Sequence, residues 1–530
     1  MKKRIISLLL VLAMAFSLSA CAKTENKKAE EGKNEANKTE AKKDSYETDV
    51  LVIGAGGAGM AAALAANEAG KSVLILEKGQ MTGGNTTRAT GGMNAAKTPY
   101  QDENKFEPAQ KEAIEKKIAI AKKDYPELTE LADKVAAQLA EYEKDPKGYF
   151  DSVELFMLDT MVGGKNLNNP ELVKQLTENS SAAIEWLKTY GMELTNVGAF
   201  GGASVMRIHR PMKDGKTVAV GPYLVSNMTK AVKDKNIEII FESPATEILV
   251  EDGKVVGAKA GDINIKAKSV VITTGGFGAN LEKVAEIKPE LKGFVTTNAP
   301  TITGDGIWMA QAIGADVVDM DQIQIHPTVE QETASLITEG VRGDGAILVN
   351  QEGKRFVDEV STRDVVSAAE IAQTGGYAYL IFDQKMADAS NPIQGYIKKG
   401  FTKQGDTVEA LAKEIGVDEA TFKATMDAWN AAVKAGKDEE FGRTSFTTEL
   451  VTGPFYAIKL SPGVHHTMGG IKINKDTQVI NTEGKVIENL FAAGEVTGGV
   501  HGANRLGGNA VADIIVYGKI AGQKAAENAK

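Results

Sequence analysis

The stretch DVLVIGAGGAGMAAALAANEAGKSVLILEKG, residues 49–79, constrains the fold of this chain more than any other. An apolar run meets glycines spaced as GxGxxG, an Ala-rich segment follows, and a second apolar run ends at Glu77. This order predicts a βαβ unit that binds a dinucleotide. In such a unit Gly54 allows the tight turn, Gly56 lets the backbone approach a pyrophosphate, and Gly59 lets the helix pack on the strand. Glu77 is expected to hold ribose hydroxyls.

Three Gly-rich segments farther along the chain favour FAD over NAD as the dinucleotide. KGQMTGGNTTRATGGMNAA, residues 78–96, is too polar and flexible for a core helix and could wrap a long cofactor. SVVITTGGFG (269–278) and NLFAAGEVTGGVHGANRLGGNAV (489–511) each end an apolar strand in a Gly-rich turn. The last of these also offers a helix start suited to a flavin ribityl chain and ring.

The overall charge and the cysteine count exclude several classes of protein. A formal net charge of -10 argues against a nucleic-acid binder, which needs a basic face. Cys21 is the single cysteine, so the chain has no internal disulfide, no Cys-ligated iron–sulfur cluster and no C-x-x-C-H haem site. We predict no metal site. An acidic protein that takes an anionic substrate must concentrate its positive charge locally.

The N-terminus, MKKRIISLLLVLAMAFSLSACAK, has the features of a secretory signal. Basic residues precede an apolar run that is too short to span a bilayer comfortably, which predicts a signal peptide over residues 1–20. The residues that end at Cys21 resemble the lipobox of bacterial lipoproteins, which implies cleavage before Cys21 and lipid attachment to its sulfur. Residues 21–45 are nearly without apolar side chains and are predicted to form a disordered tether. The protein is expected to be exported and lipid-anchored to the outer face of the bacterial cytoplasmic membrane, at the cell surface or in the periplasm.

Histidine and arginine residues recur in two distant regions. Residues 321–364 place five candidates among strand-like runs and Gly turns: His326, Thr338, Glu339, Arg342 and Arg363. The C-terminal region adds His465, His466, His501 and Arg505, although the whole chain has only five histidines. Any one of these charges alone would more often form a surface salt bridge. The matching sets favour a site, because an Arg that emerges from a cofactor-binding turn faces the cofactor.

From about residue 48 to the C-terminus, these motifs resemble the soluble fumarate reductases of the flavocytochrome c type, within the succinate dehydrogenase and fumarate reductase flavoprotein family. The resemblance implies an α/β fold in which a split Rossmann-like FAD-binding domain holds an inserted α+β clamp, or capping, domain. The expected boundaries are 46–320 and 465–530 for the FAD-binding domain and 321–464 for the clamp. Some members of this family attach the flavin covalently to a His in the segment that corresponds to residues 78–96. That segment contains no His here, so the FAD is expected to be noncovalent.

The resemblance also assigns roles to the His, Thr, Glu and Arg candidates. It implies that His326 and Thr338 bind one substrate carboxylate and that His465 and Arg505 bind the other. Arg363 falls at the position of the active-site acid, with Glu339 and Arg342 as its proton relay from solvent. His466 falls where a second His contacts the flavin ring. The positions expected to bind FAD are Gly54, Gly56, Ala58, Gly59, Glu77, Asn85, Thr86, Gly91, Gly92, Ala245, Asp305, His466, Glu495, Ala510 and Val511.

The implied reaction is the reduction of fumarate to succinate in anaerobic respiration, by hydride transfer from flavin N5 and protonation by Arg363. Two carboxylate clamps suit a small dicarboxylate, because each end offers planar recognition of a negative charge. Another 2-enoate such as urocanate, methacrylate or an aryl acrylate remains an alternative substrate. A steroid dehydrogenase is disfavoured, because it would need an apolar pocket with Tyr acids and the candidates here are cationic or imidazole side chains. A noncatalytic, lipid-anchored flavin electron carrier is the alternative from a different class.

Two departures from the flavocytochromes concern electron supply and an insertion. No multihaem or FMN domain is recognisable in the sequence, so electrons are expected from a separate cytochrome or FMN-bearing protein. Residues 98–149 form an apparent insertion with apolar residues at helical spacing. A helical hairpin packed on the flavin domain is favoured there over a docking surface for the electron donor.

Overall fold

The predicted βαβ unit lies at the centre of the main sheet. Strand β1 (Ser45–Ile53) leads through the Gly-rich turn into helix α1 (Gly57–Glu68), and β2 (Val73–Leu76) returns parallel to β1. The inner strands have near-continuous apolar runs because both faces of a parallel sheet are covered. Strand β1 already begins at Ser45, which the sequence had placed in the tether.

The computed structural model describes residues 44–530 except 444, 445 and 447, so the signal peptide, Cys21 and most of the tether lie outside the described residues. The other strands are β3 Met93–Asn94, β4 Asn196–Gly198, β5 Ile208–Arg210, β6 Met212–Lys213, β7 Lys216–Thr217, β8 Glu238–Ile240, β9 Glu247–Glu251, β10 Lys254–Ala260, β11 Ile263–Ile272, β12 Val317–Val318, β13 Ile323–Glu330, β14 Ser335–Leu336, β15 Ile347–Val349, β16 Ala378–Asp383, β17 Thr402–Gly405, β18 Phe455–Thr467, β19 Gly470–Ile471, β20 Gln478–Ile480 and β21 Val486–Ala492. The other α-helices are α2 Pro108–Asp124, α3 Thr129–Lys144, α4 Val153–Gly163, α5 Pro170–Thr189, α6 Val220–Asp234, α7 Leu281–Ile287, α8 Asp305–Ala312, α9 Glu339–Gly343, α10 Arg363–Ile371, α11 Gln384–Ala389, α12 Asn391–Lys398, α13 Val408–Ile415, α14 Glu419–Ala435 and α15 Asn509–Asn528. Within these described ranges, no helix has both the length and the apolarity needed to cross a membrane.

The main sheet has the strand order β20-β21-β11-β1-β2-β8, and β10 and β9 extend it from β11. The first and last parts of the chain share this layer, because β21 pairs with β11 and helix α15 packs on α1. A Cβ on Gly518 or Gly522 of α15 would lie within 2.6 Å of a carbonyl oxygen of α1. These glycines let two helix backbones approach closely, so the C-terminal helix completes the N-terminal βαβ layer.

A second, antiparallel sheet, here called the cap sheet, has the order β14-β13-β18-β16-β15 with β17 beside β18. It encloses its own hydrophobic core, built from residues between Ile337 and Leu460. Strand β18 belongs to both cores, since Phe455 to Leu460 lie in the cap core and Val464 lies in the main core. The domain boundaries expected at 321 and 465 therefore fall at paired strands and not at a flexible linker.

Helices α2 and α3 occupy the range in which the sequence predicts an insertion with helical spacing. Their apolar faces, including Ile114, Val135 and Leu139, pack with helix α4 in a third hydrophobic core. The insertion is thus a helical hairpin packed on the rest of the fold. Its use as a docking surface stays a prediction.

The close packing at Gly59 predicts a large loss of stability on substitution. A Cβ there would lie 1.9 Å from the Gly54 carbonyl oxygen, so Gly59→Ala must separate α1 from the turn that follows β1. We expect the free energy of unfolding to fall by about 1–3 kcal/mol or more, as in other overpacked cores. Gly395→Ala is the matched control, because helix α12 has open space at that position. Urea denaturation measures both variants, and equal stability of the two would contradict the packing argument.

Candidate active site

A cavity lies between the Gly-rich turns of the main sheet and the cap sheet. Its wall includes residues of the turn after β1, of the start of α15 and of the cap sheet, an elongated lining that suits a long cofactor beside a second ligand. The sequence-predicted residues that line it are Gly54, Gly56, Ala58, Glu77, Asn85, Thr86, Gly91, Gly92, Ala245, Asp305, His326, Thr338, Glu339, Arg363, His465, His466, Glu495, Arg505, Ala510 and Val511. Gly59 and Arg342 are the predicted residues that lie outside its wall.

The turn after β1 has the shape that a diphosphate needs. Gly54 has φ +109°, and a Cβ there would lie 2.6 Å from the Thr273 carbonyl oxygen. A Cβ on Gly56, in contrast, would meet no protein atom closer than 3.8 Å, because this residue faces the cavity. Helix α1 begins directly afterwards without a side-chain cap. Its N-terminus is therefore suited to an anionic phosphate group.

Glu77 holds the position expected for the ribose. Its carboxylate accepts hydrogen bonds from the backbone N–H of Ala55 at 2.8 Å and of Gly79 at 2.7 Å. These two bonds fix the side chain at the edge of the cavity, where it can accept from ribose hydroxyls.

A second helix N-terminus faces the same cavity. Helix α15 follows Gly508, which has φ +87° and provides no side-chain cap, and Ala510 and Val511 line the wall. Two uncapped helix starts in one elongated cavity suit a cofactor with a diphosphate in the middle and a polar ring system at its end. The residues present thus fit FAD: the turn at Gly56 for the diphosphate, Glu77 for the ribose and the start of α15 for the flavin.

Between these two ends, Glu495 connects the segments that surround the cofactor. It accepts a hydrogen bond from Asn85 Nδ2 at 2.9 Å and from the Thr467 N–H at 3.2 Å. Its other contact is His466 Nδ1 at 3.3 Å. Burial raises the pKa of Glu495, and the Asn85 and Thr467 donors lower it in part. Asn85, predicted for FAD binding, therefore also ties the wrapping segment to the C-terminal turn.

A β-bulge explains why two adjacent histidines reach the same cavity. Gln324 of β13 pairs with His466 of β18, and Ile325 pairs with Val464. His465 is thus an extra residue without a partner across the ladder. Side chains normally alternate between the two faces of a strand, and a bulge changes that direction locally. Both His465 and His466 consequently line the cavity.

Arg363 is the first residue of helix α10, and three hydrogen bonds fix its guanidinium group. Its Nε and Nη2 donate to the same oxygen of Glu339, at 2.8 and 2.6 Å, and its Nη1 donates to Gln324 Oε1 at 2.9 Å. Burial acts to raise the pKa of Glu339, but the charges of Arg363 and Arg342 outweigh it and hold that pKa below its usual value. Glu339 is therefore an anion that can accept a proton and return it.

The imidazoles around Arg363 are neutral at physiological pH. Burial lowers the pKa of His326, His465 and His466 well below the usual value, and the charges of Arg363 and Arg505 lower it further. The rings of His326 and His465 lie 5.0 Å apart, and His465 Nδ1 lies 2.7 Å from Thr297 Oγ1. Both rings line the cavity, from the paired strands β13 and β18.

Arg505 also lines the cavity, in the part of the wall that includes His326 and Arg363, here called the substrate half. It is almost fully buried, and its Nη1 donates to the Leu506 carbonyl oxygen at 3.0 Å. Among the residues of the described chain, no carboxylate forms an ion pair with it, and its Nε has no partner. Burial lowers the pKa of Arg505 to about 9, and the charge of Arg363 contributes. Such a group is most stable with a bound anion.

Arg342, which was expected in the proton relay together with Glu339, lies behind Glu339. Its Nη2 lies 3.9 Å from Glu339, on the side away from the cavity, and its Nη1 donates to the Glu359 carbonyl oxygen. The side chain is completely buried, so it does not itself reach solvent. Thr338, in contrast, lies at the wall as expected, where it caps α9 through the Gly340 N–H.

Gln324 has a positioning role that was not predicted from the sequence. Gln324 bonds Arg363 and also donates from Nε2 to Asn504 Oδ1 at 2.6 Å and to the Arg505 carbonyl oxygen at 2.7 Å. It thereby holds both guanidinium-bearing segments together. Its place two residues before His326 on one strand face was the signal that could have identified it.

His501 and His209 have structural partners. His501 Nε2 lies 2.9 Å from Asp513 on helix α15, and Asp513 lines the cavity. His209 Nε2 lies 2.6 Å from Thr98 Oγ1, and burial lowers its pKa to about 4. It does not line the cavity, where the sequence allowed it as a possible wall residue.

Three comparisons with known proteins agree with this geometry. The family profile described as FAD binding domain matches residues 49–145 and 116–511. The NADH:fumarate oxidoreductase of Klebsiella pneumoniae (strain 342) is 44% identical over 488 residues, which cover 91% of this chain and 48% of that protein. The fumarate reductase (cytochrome) of Shewanella frigidimarina is 41% identical over 488 residues, which cover 91% of this chain and 77% of that protein. The solved open conformation of a flavocytochrome c3 fumarate reductase gives a TM-score of 0.68 at 40% identity, covering 91% of this chain and 79% of that one.

This chain therefore spans about half the length of the Klebsiella relative and about three quarters of the Shewanella one.

The lowered pKa of Arg505 predicts a pH dependence for the binding of a dianion. Below a pH of about 9 the side chain is charged, and above it the ligand-free protein loses this proton. Binding must then recover the proton, so the affinity for succinate should fall about tenfold per pH unit above that point. Calorimetric titration of the FAD-loaded protein across this range measures the effect. Arg505→Gln should bind more weakly without a break near this pH, and a flat wild-type profile would contradict the lowered pKa of Arg505.

Proposed function

Because the chain belongs to the FAD binding domain family of flavoproteins, we propose that it is a reductase that converts fumarate to succinate. The α/β fold, the FAD cofactor and the family resemblance expected from the sequence are confirmed by the family profile and the relatives. The substrate, the exported location and the electron donor belong to the proposal.

The observation that carries the proposal is the surplus of positive charge in the substrate half of the cavity. Arg363 and Arg505 are buried at its wall and Arg342 is buried behind it, and Glu339 is the ionised carboxylate that contacts Arg363 and Arg342. Buried charge is costly unless an opposite charge neutralises it. A dianion of small size would supply two negative charges, while the neutral His326 and His465 would donate further hydrogen bonds to its carboxylates.

The proposed chemistry needs a hydride donor on one side of the substrate and an acid on the other. Bound FAD supplies the hydride when reduced. The protein's own contribution is to hold the two carboxylates between the His326–Thr338 pair and the His465–Arg505 pair. As negative charge grows on the carbon next to a carboxylate, these fixed groups stabilise the transition state more than the ground state.

Arg363 is the proposed acid. Its guanidinium lies at the cavity wall and is oriented by Gln324 and Glu339. An Arg rarely loses a proton because its pKa exceeds about 12, but a carbanion-like carbon is a strong base. Glu339 is anionic and hydrogen-bonded to Arg363. It can therefore deliver a new proton to Arg363 after Arg363 has given its own proton to the substrate carbon. One proton leaves Arg363 for carbon and one returns through Glu339, so the guanidinium ends each cycle charged.

Substitution of Arg363 tests the function and the acid together. With reduced methyl viologen as donor and without oxygen, the full-length FAD-loaded protein should oxidise viologen rapidly with fumarate. Arg363→Ala should lower kcat by about 10²–10⁴-fold, the usual contribution of a general acid, while FAD absorbance and succinate binding persist. Lys399→Ala is the control, because this exposed cation of the cap lies outside the cavity.

A substrate panel distinguishes the alternatives. Urocanate, methacrylate and cinnamate should be reduced far more slowly than fumarate, because each lacks a second carboxylate for one of the two clamps. Turnover of one of them with fumarate inert would retain the reductase chemistry and overturn the dicarboxylate assignment. Failure of every enoate with intact, reducible FAD would favour the electron-carrier alternative.

The proposal also places the protein outside the cytoplasm, attached to the membrane by lipid on Cys21. Support comes from the signal-like residues 1–20 and the lipobox-like residues that end at Cys21. An exported location would give the site access to electrons from a membrane or surface cytochrome or an FMN-bearing protein.

Cys21→Ser tests the anchor directly. In bacteria fed a labelled fatty acid, the wild-type chain should carry label and sediment with membranes, because the proposed lipid is bonded to the Cys21 sulfur. The variant should carry no label. An unlabelled wild-type chain, or equal labelling of both proteins, would contradict the anchor without affecting the proposed reaction.

A further inference from the structure

The proton path behind Arg363 ends inside the protein at Arg342. The side chain of Arg342 has no exposed surface, and its Nε and Nη2 make no hydrogen bond to any described residue. A relay that restores one proton per turnover must nevertheless reach water. The structure therefore needs a further proton-bearing group between Arg342 and the surface.

Helix α10 presents such a group on the face that begins with Arg363. Ser367 and Glu370 follow at i+4 and i+7, and the three side chains share one buried face of the helix. Ser367 Oγ and both carboxyl oxygens of Glu370 lack a hydrogen-bond partner of good geometry within the described chain, although the Ala378 N–H lies near enough to Glu370 to act on its charge. Together with the two nitrogens of Arg342, five unpaired polar atoms belong to three residues at the back of one site. Buried polar groups are otherwise almost always paired, so this concentration requires an explanation.

The electrostatic surroundings of Glu370 favour its protonated form. Burial raises its pKa well above the usual value, and only the charge of Arg342 and the nearby amide of Ala378 act in the other direction. The neighbouring Glu359 does not compete for Arg342 with its carboxylate, because Arg355 and Arg443 already bind that group. Glu370 can thus hold a proton at neutral pH near a guanidinium whose Nε and Nη2 make no hydrogen bond in the described chain.

Glu370 is the member of this cluster at the C-terminal end of helix α10. It lies in the last turn of α10, and its carbonyl oxygen accepts from the Gln373 N–H at 3.0 Å. The residues just beyond it are exposed, including Ile371, Ala372 and Gly375. The Glu370 carboxyl senses the charge of Arg342 at one end of the cluster, and the backbone of its own helix turn continues into exposed residues at the other.

We propose that Glu370 takes up protons from solvent and passes them, with Ser367 and bridging water, to Arg342, and so completes the proton supply to Arg363. The inference rests on the proposed function. In each turnover one proton enters at Glu370 while one leaves Arg363 for the substrate carbon. Arg342 and Glu339 carry the proton between them, so no group in the chain changes its net protonation. Glu370 acts through Arg342 and Arg363 and touches neither substrate nor cofactor.

A purely structural role makes the opposite prediction. A buried acid without hydrogen bonds destabilises the fold, so Glu370→Gln would then raise stability and leave turnover unchanged. The supply role predicts that turnover falls although the protein is at least as stable. Stability and rate therefore have to be measured on the same variant.

The first experiment compares Glu370→Gln with wild type in fumarate reduction by reduced methyl viologen. We expect kcat to fall about 10–100-fold, within the range of lost proton-transfer catalysis, with a larger solvent deuterium isotope effect. FAD reduction by dithionite and succinate affinity should stay at wild-type values. Glu370→Asp should recover part of the rate. Glu330→Gln makes the same carboxyl-to-amide change on strand β13 outside the cavity and should leave all these quantities unchanged.

A second measurement decides the role of Glu370 without any substrate. Infrared difference spectra of wild type in H₂O and D₂O should show a protonated-carboxyl band that shifts on deuteration and is absent from Glu370→Gln. If that variant does not fold, Glu370→Asp identifies the band by its change in frequency. A missing or non-exchanging band, or an unchanged kcat and isotope effect in Glu370→Gln, would overturn the inference. Inert fumarate in wild type beside an exchanging band would instead overturn only the proposed function.

Discussion

The antiparallel pairing of β13 with β18 is the interaction on which the site depends. This pair joins the main core to the cap core, since β18 contributes side chains to both. The same two strands carry Gln324, His326, His465 and His466. Catalytic groups on paired strands keep their separation better than groups on loops, because the ladder fixes their relative positions. A shift of register by one residue would turn the histidines away from the cavity.

The second constraint is the amount of positive charge that this strand pair encloses. Guanidinium groups are held in place by Gln324 and Glu339, while burial keeps the nearby imidazoles neutral. Removing one partner of a buried ion pair typically costs about 3–5 kcal/mol, so such a chamber reduces stability unless its ligand is bound. Proteins accept such local costs mainly at functional sites. The arrangement thus indicates selection for an anion and not for the stability of the empty fold.

The sequence predicted the cofactor half of the site well and the proton path poorly. The GxGxxG unit is local in sequence, and each glycine has a steric reason, so its geometry followed from spacing alone. The roles of Gln324 and Glu370 depend on which elements pack together, and no local pattern records that. The bulge at His465 was also unpredictable, because the sequence of β18 does not show where its ladder gains a residue. The complete burial of Arg342 was unpredictable for the same reason, because it depends on tertiary packing.

The close contact of α15 with α1 has a consequence for the order of folding. Helix α1 leaves the ribosome early, but the helix that covers it ends at Asn528. At about 5–20 residues per second, synthesis of the intervening chain takes roughly 20–90 s, during which one face of the first helix lacks its partner. Contacts between such distant parts of the chain also form slowly. The nascent protein therefore exposes the apolar face of α1 until synthesis ends, and transiently exposed apolar surface of this kind is what makes chains prone to aggregate and what chaperones bind.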